Sequence, residues 1–462
     1  MSTIILEAKG NLDQHLIGNP QISFFKVVYR RHTNFSMQSM QIPLEGNITE
    51  SGGYFQTKIS RSGDLLNKLW FDAHISAKND GFAETTPPAI SDYFVWTRNT
   101  GAALIKDYSL NIGQQLIDKQ DSDYLNIVSE VHDRFNDSWI PLNKQSLSNK
   151  SYYNASNSIN NDGKNPNCEL QLYIDLHFWF CKKNRPPLPV IAIQNQDITL
   201  NYNIRNFKHL INASAVIGDT SWHHNIKDIK LFGNYIHLDT DERRRFVQTS
   251  HEYLIEQIQY FSNDLADGTN NIQFSFNNPV KQLFWFIRND KCSESTPVAN
   301  HMNTDVYFHA EPLSSADYAS GSNVRLFGAN DYFNWNASTT SSASNVEVLA
   351  NHVHKYNFKT ADISVNDVKL FNPLKASYFE YQTFTHADMK LDVHGGLFMY
   401  SFALRPGEYQ PTGTFNMTHV DRCTLNLYDV QIDTEPSHIK VYAINYNILR
   451  VMSGMAALAY IN

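Results

Sequence analysis

The chain has 462 residues, 42% hydrophobic and 13% aromatic, which is enough for two or three domains that each bury a sizeable core. Its formal net charge is −8, and this excludes a protein whose main surface coats nucleic acid, because such surfaces carry excess positive charge. The longest nearly apolar runs, at 283–287 and 456–461, are far shorter than the roughly 18 to 20 residues that cross a bilayer. No transmembrane segment is therefore predicted.

The N-terminus and the cysteines indicate a reducing compartment. The first ten residues lack the basic and apolar regions of a secretory signal peptide, so secretion is not expected. The four cysteines are Cys168, Cys181, Cys292 and Cys423. They show no C-x-x-C spacing, which favours inert thiols over a zinc site or a disulfide framework.

A basic and aromatic cluster follows near the N-terminus. Its members are Tyr29, Arg30, Arg31, His32 and Phe35. One interpretation places the cluster at the end of a first strand, with Phe25, Val27 and Tyr29 on one face. The other makes it an assembly contact with acidic groups of a neighbouring subunit or an underlying protein, because arginine and aromatic residues are enriched at interfaces. The sequence leaves both interpretations open.

Alternation of apolar and polar side chains predicts several half-buried strands. It runs through 170–180, 198–204, 423–428 and 442–448, with the period of two of a strand that has one face on a core. Few stretches show a helical period, and Pro and Gly interrupt the chain at short intervals. The predicted fold class is therefore all-β.

The two halves of the chain repeat each other in order. The matching pairs are 69–75 with 283–289, 105–113 with 364–372, 177–202 with 397–427, and 226–238 with 439–451. Four pairs in one order indicate a duplicated β domain. We expect an N-terminal segment and first domain at 1–238, and a linker helix and second domain at 239–462.

Segments rich in Ser, Asn, Thr and Gly interrupt both halves, at 81–99, 136–167 and 291–359. Loops longer than about 15 residues are usually functional or disordered, and on a β-sandwich these are expected at one end. In the longest insertion, Tyr332, Phe333 and Trp335 are candidates for an outer-loop surface, because an exposed aromatic platform beside polar groups suits sugar binding.

A short helix is predicted between the halves. Asp239 can cap it by accepting the backbone N–H groups of the first turn, and Glu242 completes a capping box. The following triplet, Arg243, Arg244 and Arg245, suits the negative C-terminal end of the helix dipole. We interpret it as a solvated or salt-bridged helix face rather than a nucleic-acid patch.

Catalytic motifs are absent: the sequence contains no G-x-S-x-G elbow, phosphate loop, H-E-x-x-H helix or dinucleotide fingerprint. His352 and His354 have the H-x-H spacing of metal-binding jelly rolls, but Phe358 and Lys359 stand where the third, carboxylate ligand is needed. No enzyme activity, cofactor or metal is predicted.

Two other polar groups are interpreted as structural. The adjacent His223 and His224 would point to opposite faces of a strand, so they cannot share a metal directly. Asp118, Asp121 and Asp123 lack the glycine-centred pattern of a calcium loop. Turn formation and capping of the 124–131 segment explain them more simply.

Three stretches resemble the major capsid proteins of nucleocytoplasmic large DNA viruses: 18–35 (GNPQISFFKVVYRRHTNF), 238–246 (LDTDERRRF) and 405–415 (RPGEYQPTGTF). The resemblance spans about residue 18 to the C-terminus. It implies two tandem eight-stranded antiparallel jelly-roll β-sandwiches, a double jelly roll, with long loop insertions and a short linker helix. It also implies a structural major capsid protein, whose trimeric pseudo-hexagonal capsomers tile an icosahedral shell.

The resemblance further implies a location and partners. The protein is expected in the virion capsid, after assembly in the host cytoplasm. Its partners would be two further copies in a homotrimer, neighbouring capsomers, and minor capsid and penton proteins, with a cap protein or glycans as further candidates on the outward loops. The N-terminal cluster would face inward, towards minor capsid proteins and an internal membrane, and direct contact with nucleic acid is not expected.

Two alternatives belong to other functional classes. The first is a tandem β-sandwich protein that binds glycans or a receptor, and it would be favoured if glycan binding disappears in a Trp335→Ala variant. The second is a cupin-like enzyme, which requires a bound transition metal.

Overall fold

The computed structural model describes residues 31–46, 48–49, 51–79, 93–96, 99–131, 153–154, 168–213, 222–289, 356–387, 396–432 and 437–460, with the isolated positions 12, 17, 19–21, 25, 333 and 335. Most of this part of the chain is β-strand.

The first half of the chain contributes β1 Phe35–Ile42, β2 Gly53–Lys58, β3 Leu65–Asn79, β4 Tyr93–Trp96, β5 Ile105–Ile112, β6 Gln115–Asp121, β7 Tyr153–Asn154, β8 Cys168–Asp175, β9 Ile198–Ile204, β10 Ile211–Ala213 and β11 Trp222–Leu238. The second half contributes β12 His251–Leu265, β13 Gly268–Phe274, β14 Pro279–Asn289, β15 Thr360–Val365, β16 Val368–Lys369, β17 Leu374–Lys375, β18 Phe398–Ser401, β19 Phe415–Asn416, β20 Cys423–Val430, β21 Ser437–Met452 and β22 Met455–Leu458. The α-helices whose bounds lie within the described residues are α1 Thr100–Leu104, α2 Ser122–Val131, α3 Thr240–Gln248 and α4 Ala376–Ala387.

Each half forms a sandwich of two antiparallel sheets. In the first, the sheets have the orders β1-β11-β3-β8 and β2-β9-β5-β6, and β10-β4-β7 form a small third sheet. In the second, the orders are β12-β21-β14-β18 and β13-β20-β15-β16, while β19, β22 and β17 add short pairings. When the eight main strands of each half are numbered along the chain, both sandwiches read 1-8-3-6 and 2-7-4-5. This is the jelly-roll arrangement, and the predicted repeat of strand order is confirmed.

The strand pairings place the strand ends that flank the long insertions at one end of the molecule. β1 begins beside the end of β11, where Phe35 pairs with Leu238, and α3 follows directly. The strands that border the insertions pair at the opposite end, Cys168 with Ala77 and Asn289 with Ser437. We call these the base end, which carries α3, and the insertion end.

The alternating pattern predicts the bounds of β9 correctly, but it predicts a strand up to residue 180 where β8 ends at Asp175. β8 ends at Asp175, and Trp179–Cys181 form a 3-10 turn. Phe178, Trp179 and Phe180 are all buried, which a strand with one face on the core cannot achieve for three consecutive side chains. The turn, closed by the Cys181 N–H donating to the Phe178 carbonyl at 2.9 Å, brings all three into the core. The predicted strand over 176–180 is therefore wrong.

The linker helix has the predicted cap. The Glu242 N–H donates to Asp239 Oδ1 at 2.9 Å, and α3 is exposed along most of its length. Arg243 pairs with Asp64 at 3.0 Å and Arg245 with Glu242 at 3.6 Å. The interpretation of this helix as a salt-bridged face is confirmed for these two arginines.

Candidate functional site

The two sandwiches meet along an extensive buried surface, which we call the inter-sandwich interface. It lies between the outward face of the β12-β21-β14 sheet and a surface of the first sandwich formed by β6, α2 and the 3-10 turn. β21 is buried on both faces from Val441 to Asn447. Val441 and Ala443 belong to the second core, whereas Tyr442 and Ile444 pack in the cluster that contains the first core. Separating the sandwiches would therefore expose apolar surface.

An ion cluster occupies the part of this interface nearer the base end. The Glu256 carboxylate on β12 accepts from Lys182 Nζ at 2.7 Å, Arg185 Nη2 at 2.9 Å and Lys281 Nζ at 2.6 Å. Its side chain is only 5% exposed. Burial by itself would raise the pKa of Glu256, but the three cations, Lys182 foremost, hold that pKa well below its usual value. Because Lys182 and Arg185 belong to the first sandwich, the carboxylate ties the two sandwiches together.

The 405–415 stretch closes over this ion cluster. Lys281 Nζ donates to the Pro406 carbonyl at 2.7 Å, and the Arg185 guanidinium lies 4.8 Å from the centroid of the Tyr409 ring. Burial lowers the pKa of Lys281, although Glu256 opposes this. The stretch therefore has a structural role: it covers the cluster, and its Pro406 carbonyl accepts a hydrogen bond from the buried Lys281.

A second ion cluster lies nearer the insertion end. Asp123, at the start of α2, accepts from Arg288 Nη1 at 2.9 Å and Lys440 Nζ at 2.5 Å. Asp121 accepts from Lys440 Nζ at 3.1 Å and from the Tyr442 hydroxyl at 2.7 Å. Burial would raise the pKa of Asp123, yet the charges of Arg288 and Lys440 lower it to about 2. The Asp123 carboxylate from the first sandwich thus remains ionised against cations from the second.

The predicted structural role of the aspartates is confirmed in part. Asp121 Oδ1 accepts from the Tyr124 N–H at 3.0 Å and so caps α2. The sequence analysis missed that the same residues cross the inter-sandwich interface. The available signal was weak: three carboxylates close together in the first half, at Asp118, Asp121 and Asp123, and lone basic residues inside apolar strands of the second half, at Lys281, Arg288 and Lys440.

Asp118 lies between the two clusters and has neutral partners. It accepts from the Ile258 N–H at 3.1 Å and from Gln120 Nε2 at 2.6 Å. Burial raises its pKa to about 6, with these hydrogen bonds and Lys182 acting in the opposite direction. The pKa of this carboxyl lies near 6 because the effect of burial outweighs that of its hydrogen-bond partners.

Asp118→Asn is expected to remove one pH dependence of stability. The folded pKa of about 6 exceeds the ordinary 3.8, so the carboxyl contributes stability below about pH 4 that is lost as the pH rises through 6. The loss amounts to about 3 kcal/mol, since one pKa unit corresponds to about 1.4 kcal/mol. The half-buried His177 acts oppositely: desolvation of its ring lowers its pKa to about 4, so its contribution to stability is complete above about pH 6.5 and lost as the pH falls to 4.

Urea unfolding of the wild type and Asp118→Asn from pH 4 to pH 8 isolates the Asp118 contribution, because that of His177 cancels in the difference. The free energy of unfolding of the variant, relative to wild type, should rise by about 2.5 kcal/mol between these limits. A difference that stays constant with pH would show that Asp118 does not titrate as its surroundings indicate.

The N-terminal cluster lies at the base end as far as it is described. Arg31 and His32 are exposed, and the His32 ring lies edge-on to that of Phe35 with centroids 5.8 Å apart. Phe35 begins β1, and Phe25 lies in a turn and is 97% exposed. Residues 26–30 lie outside the described part of the chain, so a strand that ends in this cluster stays a prediction. Tyr29 and Arg30 lie outside the described residues. The assembly role of the cluster stays a prediction.

The proposed outer-loop platform is contradicted at two of its three residues. Phe333 is 2% and Trp335 3% exposed. The Trp335 ring stacks on Phe286 of β14 with centroids 4.4 Å apart, in the same cluster as Tyr442. Tyr332 lies outside the described residues. An aromatic platform for sugars requires exposed rings, so these two residues instead extend the inter-sandwich interface.

Other sequence candidates form no reactive site in the part of the chain that is described. No group of His, Cys, Asp or Glu there is arranged to hold a metal ion, and His352 and His354 fall outside that part. Burial raises the pKa of both the Cys181 and Cys423 thiols to about 12, so these cysteines are inert. No helix among the described residues is long and apolar enough to span a bilayer.

Family models cover nearly the whole chain. Residues 23–239 match the model described as the major capsid protein N-terminus, and residues 242–457 match the large eukaryotic DNA virus major capsid protein. The major capsid protein of Pyramimonas orientalis virus is 33% identical over 99% of this chain and 98% of its own length. That of Paramecium bursaria Chlorella virus 1 is 30% identical, again over 99% and 98%.

Solved structures share the fold of this chain. A chain of the PBCV-1 virus capsid superposes with a TM-score of 0.69 and 26% identity, covering 95% of this chain and 100% of that one. The Faustovirus major capsid protein has a TM-score of 0.66 at 10% identity, covering 96% of this chain and 94% of that one, which shows the shared fold. The relatives are structural capsid proteins, not enzymes. This chain therefore belongs to the major capsid proteins of large eukaryotic DNA viruses.

Proposed function

We propose that three copies of the chain form a pseudo-hexagonal capsomer, and that such capsomers tile an icosahedral shell. The observation that carries this proposal is the pair of sandwiches with identical strand order, fixed side by side by a buried interface with two ion clusters. A shell unit must present the same geometry in every copy. A preformed interface inside the chain supplies it before assembly.

The division of the chain supports the same proposal. We place the first sandwich in 1–238 and the linker helix with the second sandwich in 239–462. The two family models meet at 239 and 242, and α3 starts at Thr240 with little of its surface buried. Each unit therefore has its own pair of sheets, and three chains present six similar units.

Major capsid proteins are located in the virion capsid, and neighbouring capsomers are partners of this chain in the proposed shell. Minor capsid and penton proteins are proposed partners at the base end, where Arg31 and His32 are exposed. The insertion end is proposed to face outward and to carry any cap protein or glycan. Assembly in the host cytoplasm fits the free thiols of Cys181 and Cys423.

Sedimentation of the chain expressed alone tests the trimer. We expect a species of about 160 kDa at micromolar concentration, since one chain has a mass of 53.0 kDa. A stable monomer under these conditions would count against the proposal. A matched measurement after dilution to nanomolar concentration separates a stable trimer from a transient one.

A further inference from the structure

The inter-sandwich interface has a counterpart that a single chain leaves uncovered. Inside the chain, the outward face of β12-β21-β14 packs on β6. In the numbering of eight strands per sandwich, these are strands 1, 8 and 3 of the second sandwich and strand 5 of the first. Two contacts define this relation: the Ile258 N–H donates to Asp118 at 3.1 Å, and the Tyr442 hydroxyl donates to Asp121 at 2.7 Å. Because both sandwiches share one strand order, each has such a sheet face and such a fifth strand.

The matching sheet face of the first sandwich is β1-β11-β3. Ile42, Leu231 and Phe71 are buried on its inner side, so residues of opposite parity point outward. Among these, Phe35 is 48% and Met37 53% exposed. In the second sandwich, the equivalent face carries Phe284, Phe286, Tyr442 and Ile444, all at most 1% exposed.

The outward side of this face also carries aromatic rings. Trp70 of β3 and Phe232 of β11 stack with centroids 5.6 Å apart, and both are half-buried. Phe35 and Met37 lie further along the same outward side, beyond the hydrogen-bonded Ser39 and Asn234, and no described element of the chain covers this sheet face. Exposed apolar areas of this kind mark interaction surfaces.

The matching fifth strand of the second sandwich is formed by β16 and β17. A turn at 366–367 precedes it, as a turn at 113–114 precedes β6. β17 runs directly into α4, as β6 runs directly into α2. Val368 is 68% and Leu370 41% exposed, whereas the equivalent strand β6 is largely covered by the second sandwich.

We propose that the β1-β11-β3 face of one copy packs on the β16–β17 edge of a second copy, repeating the inter-sandwich interface between chains. The inference rests on the proposed capsomer and names its contact surfaces. The two surfaces differ, so the contact is head-to-tail, and such contacts close into a ring when the rotation fits. Each copy contributes one surface of each kind. In a closed ring, every sandwich then packs its sheet face on the fifth strand of one neighbour and its own fifth strand on the sheet face of the other.

The charges indicate how the contact between copies differs from the contact within the chain. On the β1-β11-β3 sheet, Lys68 pairs with Asp175 at 2.7 Å. On the β16 side, Lys369 pairs with Asp362 at 2.8 Å. Both surfaces are thus neutralised within one copy, whereas the inter-sandwich interface joins opposite charges across it. The contact between copies would therefore depend less on ion pairs across it than the inter-sandwich interface does.

Met37→Glu and Val368→Glu test the two surfaces separately. Each places a charge in an apolar contact, and each residue is more than half exposed in one copy, so the fold should be retained. We expect each variant to sediment as a folded monomer, with the association constant reduced at least about 100-fold. The control is Met452→Glu, a methionine 62% exposed on the β21–β22 hairpin at the base end, which should remain trimeric.

Mixing the two variants gives a second, more specific readout. The intact β1 face of Val368→Glu and the intact β16 edge of Met37→Glu can form one junction, so the mixture should contain two-chain species that neither variant forms alone. Circular dichroism and thermal unfolding check the fold, and failure of one variant to fold leaves the other to decide. Trimers of both folded variants, formed beside a trimeric wild type, would overturn the inference alone. A monomeric wild type would overturn the proposed capsomer as well.

Discussion

Replacing Glu256 by glutamine is expected to lower the free energy of unfolding by about 3 to 5 kcal/mol, because removing one partner of a buried ion cluster leaves the others uncompensated. Lys182, Arg185 and Lys281 all contact this carboxylate within 2.9 Å. Their side chains are 16%, 7% and 3% exposed, so water cannot replace it fully. Urea unfolding at pH 7, followed by tryptophan fluorescence and circular dichroism, measures the loss.

Glu252→Gln is the matched control. Glu252 lies on the same strand, β12, and pairs with Arg450 at 2.8 Å, but both side chains are more than half exposed. Exposed pairs contribute little, so this variant should stay within about 0.5 kcal/mol of wild type. Equal effects of the two substitutions would show that the Glu256 cluster does not hold the sandwiches together.

Trp335→Ala is expected to destabilise the protein by about 3 to 5 kcal/mol, as large-to-small changes of buried aromatic residues do. The Trp335 ring is 3% exposed and stacks on Phe286, which in turn faces Tyr442 with centroids 6.1 Å apart. The substitution would leave a cavity next to the inter-sandwich interface. Thermal and urea unfolding of the purified variant measure its cost.

Tyr54→Ala serves as the control for Trp335→Ala. Tyr54 is also aromatic but is 65% exposed on β2, so its removal should change the free energy of unfolding by less than about 0.5 kcal/mol. A Trp335→Ala protein that keeps wild-type stability and instead loses glycan binding would contradict the buried position and revive the glycan-binding alternative.

The strand order could be predicted because it rests on local patterns. In β9, Ile198, Leu200 and Tyr202 alternate with polar residues, and the strand runs from Ile198 to Ile204 as this pattern indicates. The capping function of Asp239 is equally local, since it depends on residues within one helical turn. The order of such segments along the two halves was sufficient to predict the duplication.

The inter-sandwich interface could not be predicted in this way, because its contacts join distant parts of the chain. Asp123 and Lys440 are separated by 317 residues, and no spacing rule relates them. The prediction that Trp335 is exposed was wrong for a similar reason. Its neighbours in sequence are polar, which is typical of a surface loop, but the ring stacks on Phe286 of another strand. The strand predicted over Phe178 to Phe180 was wrong for a different reason. A 3-10 turn can bury consecutive residues that strand periodicity would place on opposite faces.

Electron cryo-microscopy of the purified assembly, at a resolution that separates the two sheets of a sandwich, tests most directly whether the twin sandwiches act as units of a shell. We predict a particle with a threefold axis and six sandwiches in a ring, two from each chain, with the β1-β11-β3 face of one chain against the β16–β17 edge of the next. A particle with a twofold axis, or a ring in which the two sandwiches of one chain are not neighbours, would contradict this arrangement.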